Sequence, residues 1–187
     1  MSDAVRRLRY DELDDDLRAA LAPRVERLGY LGEFFALAGH QPAALLAFHR
    51  FTEALKEALP AEVTEAVALT VATELSNDYE RCQHERLALR LGFDRQWIAA
   101  AGGRAGSDPA ALGPAAACAR RLALAMVARH GHDVAAELDD AVRVLGERDT
   151  IGVTLLVARY TAHATVANAF AIQPPVGSVF DEPVGGG

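Results

Sequence analysis

Asn77-Asp78-Tyr79-Glu80-Arg81-Cys82-Gln83-His84-Glu85-Arg86-Leu87-Ala88, with Ala61-Glu62-Val63-Thr64-Glu65-Ala66-Val67-Ala68-Leu69 before it, is the stretch that decides the fold class of this chain. Both segments carry helical periodicity. At about 100° per residue, Glu80, His84, Leu87, Ala88 and Leu91 fall on one side of a helix over residues 79–91. Glu80 and His84 are four apart, the spacing at which helix side chains touch. In the preceding helix Glu65 shares a face with Ala61, Ala68, Leu69 and Ala72. A carboxylate in such apolar company is costly unless it is paired or protonated. Where the two stripes meet, Glu65, Glu80 and His84 form a proton-handling cluster.

The same residues admit plainer roles. Asn77 to Glu80 fits a capping box, with Asn77 as N-cap and Glu80 reaching back to the backbone. His84 fits a hydrogen-bonded core histidine, and Glu65 an ion pair with an arginine across a helix interface. Spacing alone leaves these alternatives open.

Working outward, breakers divide the chain into helices with short joints. Helix over 13–28 ends near Gly29, and a short apolar turn over 30–38 closes at Gly39-His40-Gln41-Pro42. Pro42 and Pro60 each open a helix, over 43–58 and 61–75, because a first turn does not need its N–H. Gly92 suits the position after a helix end. Helices over 94–101, 114–129, 134–145 and 150–172 follow, and Pro174-Pro175 stops the last. No set of alternating strands is present, so the fold class is all-α. The domain reading is a helical lead-in over 1–29, a helical domain over 30–175 and a flexible tail over 176–187, frayed after Val184.

Composition narrows the function. About half the residues are apolar and few are aromatic, which suits closely packed helices. Net charge is −7, with arginines dispersed among acids and no basic stripe, so nucleic-acid binding is not expected. The N-terminus runs into Asp14-Asp15-Asp16 without an apolar region, and no stretch suffices to span a bilayer, so a cytoplasmic location is expected. Cys82 and Cys118 form no CxxC and read as buried thiols. His130-Gly131-His132 lacks the partners of a zinc site, and Gly102-Gly103-Arg104-Ala105-Gly106 lacks the ending of a phosphate loop. Neither a metal nor a cofactor is assigned.

The residues quoted at the outset resemble the core of the carboxymuconolactone decarboxylase family, in the alkylhydroperoxidase D-like superfamily. There a Glu-bearing helix precedes a Tyr-Glu pair, a His four after that Glu and an Ala four after the His. Leu37-Ala38-Gly39-His40-Gln41-Pro42 and Tyr160-Thr161-Ala162-His163-Ala164 are similar to that family's lead-in and closing helix. The resemblance covers most of residues 30–175. It implies a helical homo-oligomer, trimer or hexamer, with sites near subunit contacts. The peroxidase branch carries a CxxC whose two cysteines match Asn77 and Glu80 here, so the redox pair is absent.

The expected chemistry is cofactor-free proton transfer on a small organic acid or lactone, such as a decarboxylation. His84 is the candidate acid/base, Glu80 its orienting partner and Glu65 the proton relay; Tyr79 and His163 are candidate substrate-binding residues. A thiol peroxidase working through Cys82 and a non-catalytic oligomer are the alternatives. On an ideal helix Cys82 points roughly 160° from His84, which separates the two chemistries.

Overall fold

The computed structural model describes residues 4–181 and is helical throughout, with no strand among those residues. The helices are α1 (Asp15–Leu28), α2 (Glu33–Ala38), α3 (Pro42–Ala58), α4 (Ala61–Glu74), α5 (Asp78–Arg90), α6 (Arg95–Ala101), α7 (Pro114–Ala128) and α8 (Ala135–Ala169). Pro42 and Pro114 each occupy a first turn, and Asp14, Asn77 and Asp94 cap α1, α5 and α6 with their side chains.

The centre of the molecule is α4, in which every residue from Val63 to Ala72 is buried. A helix apolar all round must be enclosed. α5, α6, α7 and α8 all pack against it. Small residues at Ala66, Ala68, Ala116, Ala119 and Ala123 let the α4 and α7 backbones approach, and Val153, Leu156 and Tyr160 of α8 close that core.

A second core gathers Leu13, Leu17 and Leu21 with Phe34, Phe35, Tyr79, Ala167 and Ile172. The N-terminal helix therefore shares its apolar face with α2, α5 and the end of α8. Gly32 makes one close approach possible, since a Cβ there would lie 2.7 Å from the Tyr79 hydroxyl.

α8 is broken at Gly146, whose φ of 82° and ψ of 165° are not helical. The break lies between the two helices expected over 134–145 and 150–172. The second half ends at Ala169, short of Ile172, because Ala171 turns into the left-handed region and the Ile172 N–H closes on Ala167 O.

The segment expected to be a flexible tail makes specific contacts in its first part. Ser178 and Val179 are buried, since the Ser178 hydroxyl and the Val179 N–H both donate to the Glu85 carboxylate (2.6 and 3.0 Å). A carboxylate with such donors holds this strap in place. The fraying expected after Val184 lies outside the described residues.

Candidate active site

α4 and α5 run side by side, and their facing stripes bring Glu65 and His84 together. The Glu65 Oε2 to His84 Nδ1 distance is 2.7 Å, and one turn back on α5 Glu80 Oε2 lies 3.0 Å from His84 Nε2. Both ring nitrogens thus face carboxylates, and all three side chains are buried. Burial works against a charged imidazole, but Glu65 and Glu80 prevail and hold His84 above its ordinary value.

α8 completes the cluster from above. His163 Nε2 lies 2.9 Å from Glu80 Oε1, and Arg159 Nη1 lies 3.5 Å from Glu80 Oε2. Burial would raise the Glu80 carboxyl, but His163 and Arg159 hold it well below the usual range. Burial keeps His163 below its ordinary value despite Glu80. A neutral His163 donates from Nε2 to Glu80 and accepts at Nδ1 from the Asn77 amide (3.4 Å), so Asn77 fixes its tautomer while capping α5. The Tyr160 hydroxyl lies 3.2 Å from His84 Nε2, and burial pushes its pKa well above the ordinary value.

Glu80 does not close a capping box. Asn77 forms its half by accepting from the Glu80 N–H, but the Glu80 carboxylate is turned inward onto His84 and His163. The Arg159 guanidinium lies over the Tyr160 ring (4.3 Å to its centroid) and donates from Nε to Thr52 Oγ1. Arg159 was not singled out from the sequence. Its one available signal was its place on the helical face of Tyr160 and His163.

The cluster opens on a cleft of about 100 Å³, in which Glu80 and His84 form part of the wall. Five basic side chains surround it: Arg24 and Arg27 from α1, Lys56 from α3, and Arg86 and Arg90 from α5. Glu80 is the single acidic residue of that lining. Tyr30, Gln83 and Val176 of the C-terminal strap complete the mouth.

Neither Tyr79 nor His163 is in the cleft wall. The Phe34 N–H donates to the Tyr79 hydroxyl (3.4 Å), and burial pushes that phenol up to about 12. The His163 ring stacks on Phe34 with centroids 3.9 Å apart and on Tyr79 at 5.9 Å. Cys82 also lies outside the cleft lining, is 3% exposed, and has its thiol pushed up by burial. A protonated thiol is a poor nucleophile. His130 and His132 sit in the turn after α7, and no group of three or more potential metal-ligating side chains occurs among the described residues.

No protein-family model matches the chain, and none of the curated proteins compared with it matches. Solved structures do. The debrominase Bmp8 superposes with a TM-score of 0.79 over 94% of each chain at 20% identity. A cysteine-to-alanine variant of Bmp8 in complex with 2,3,4-tribromopyrrole gives 0.78 over 92% of each chain, also at 20% identity. An alkylhydroperoxidase AhpD core, an uncharacterized peroxidase-related protein from Ralstonia eutropha JMP134, gives 0.78 at 15% identity over 91% of this chain and 90% of its own. The chain has the alkylhydroperoxidase D-like fold. This is the all-α architecture that the resemblance around Glu65–Ala88 implies. Likeness at these identities concerns the fold, and chemistry belongs to the site.

Proposed function

We propose that this protein is an enzyme performing cofactor-free acid/base chemistry, a decarboxylation or related lyase reaction, on a small organic acid or lactone. One observation carries the reading: the Glu65–His84–Glu80 chain, with links of 2.7 and 3.0 Å, ends at a cleft ringed by arginine and lysine. Loss of CO₂ leaves an electron pair that must be protonated. The proton suited to that task is the one on His84 Nε2, shared between Glu80 and the Tyr160 hydroxyl. A carbanion seated in the cleft competes for it, and Glu65 at Nδ1 relays a replacement. Glu80, kept anionic by His163 and Arg159, orients the ring and stabilises the imidazolium. The arginines of the rim hold the substrate's carboxylate. That one protein of this fold is a debrominase, crystallised with a small organic ligand, supports a small-molecule enzyme.

The test is CO₂ release from a panel of small carboxylic acids and lactones. For an acid that is turned over, His84→Gln is expected to cost about 10²-fold or more. Turnover that survives this change removes His84 from the mechanism.

We also propose, as the resemblance implies, that copies associate into a trimer or hexamer. The outer face of α8 supports this, since Ile151, Leu155, Ala158 and Ala162 form an exposed apolar stripe at helical spacing. We place the protein in the cytoplasm; no helix among the described residues is long and apolar enough to cross a membrane.

A further inference from the structure

Lys56 is the single lysine of the chain, and every other Lys/Arg position is an arginine. It stands half-buried in the wall of the cleft that holds Glu80 and His84. The difference between the two cations is chemical. A guanidinium keeps its proton at any working pH, whereas an amine can give it up and then carries a nucleophilic lone pair. For holding an anion, arginine is the better fork, and the cleft has arginines for that.

The surroundings of Lys56 ease the loss of its proton relative to an ordinary lysine. Four charged groups face it: Arg24 from α1, Glu53 from its own helix, Glu65 from α4 and Arg159 from α8. Burial first, then Arg24, pull it below its ordinary value against Glu65 and Glu53. No carboxylate among the described residues forms an ion pair with its ammonium.

We propose that Lys56 is a carbonyl-capturing amine, and that the substrates are small carboxylates bearing a ketone or aldehyde, with 3-oxo acids undergoing the decarboxylation. This rests on the acid/base reading above and deepens it. The Lys56 Nζ lone pair adds to the carbonyl carbon, and the former C=O pair becomes a hydroxyl by taking a proton. Water leaves as nitrogen forms the C=N⁺ bond. The bond to the carboxylate then breaks, its electron pair flows into the iminium to give an enamine, and CO₂ departs. His84 supplies a proton to the enamine carbon. Water adds back, frees the amine and releases the ketone. The net reaction consumes one proton and neither oxidant nor reductant.

Two measurements test this in the full chain. In the first, glyoxylate, which carries both an aldehyde and a carboxylate, is trapped with cyanoborohydride, and peptide mass mapping locates the added carboxymethyl group. The N-terminal amine serves as the internal control because it is ordinarily the more reactive amine at neutral pH. Lys56 is expected to react at least about tenfold faster than the N-terminus, and to do so also in His84→Gln, where ring chemistry is absent but the amine is intact. Labelling of the N-terminus first overturns the proposal.

The second compares Lys56→Arg with wild type for acetoacetate decarboxylation and glyoxylate trapping, with circular dichroism and thermal melting to confirm the fold. Loss of both in a folded variant supports the proposal. Turnover that needs His84 but is untouched by Lys56→Arg overturns it and leaves the acid/base reading standing. Rapid trapping at Lys56 in a protein whose turnover ignores His84→Gln supports the amine and sinks the acid/base reading instead.

Discussion

At the scale of single residues, Glu80 ties α5 to α8. Its carboxylate serves His84 on its own helix and His163 and Arg159 on α8, in a place water barely reaches. Glu80→Gln keeps the shape and removes the charge, leaving the Arg159 cation uncompensated. A loss of about 3–5 kcal/mol in denaturant-unfolding stability is expected. A mere capping residue costs about 1 kcal/mol, so a loss of that size would return Glu80 to the backbone role. The pH dependence follows from signs. His84 is raised above 6.5, so the stability and proton supply of its imidazolium are complete below 6.5 and lost as pH rises through the raised value. His163 is lowered from 6.5, so the unfolded chain takes up a proton that the folded one refuses, and stability declines as pH falls below 6.5. NMR titration of the two rings is expected to place His84 above and His163 below that value. The reverse order would contradict the charge assignment.

At the scale of elements, the break in α8 sets where Arg159, Tyr160 and His163 stand. Gly146 lies in a backbone region open essentially to glycine, and a Cβ there would meet nothing within 4 Å. The cost of Gly146→Ala is therefore conformational, and a loss of about 1–3 kcal/mol in unfolding free energy is expected, with helix content kept. An unchanged stability would show that the bend is not held. The helices themselves were legible in the sequence, since prolines, N-caps and glycines mark their ends locally. Glu65, Glu80 and His84 were legible because i,i+4 spacing and two facing stripes act within about 20 residues of chain. Arg159 and the rim were not. Arginines are spread over the whole sequence, and only packing selects those that converge from α1, α5 and α8. Residues 176–181 read as tail because their anchor, Glu85, looks from sequence like one more surface acid on α5.

At the scale of the whole molecule, the stripe on α8 is an apolar face that the chain itself leaves uncovered. Ile151 is 59% exposed, with Leu155 one turn on. Ile151→Glu places a charge in the middle of the proposed interface. Light scattering is expected to show a smaller assembly than wild type at equal concentration. An unchanged mass would move the contact elsewhere. A last consequence concerns the strap. Ser178 and Val179 hang on Glu85, the immediate neighbour of His84, while Val176 borders the cleft. Ninety-odd positions of chain separate the latch from its keeper, yet a tug on one end bears directly on the helix that carries the imidazole. A guest in the cleft therefore meets Val176, and a fluorophore on that segment is expected to report occupancy without touching the reacting groups.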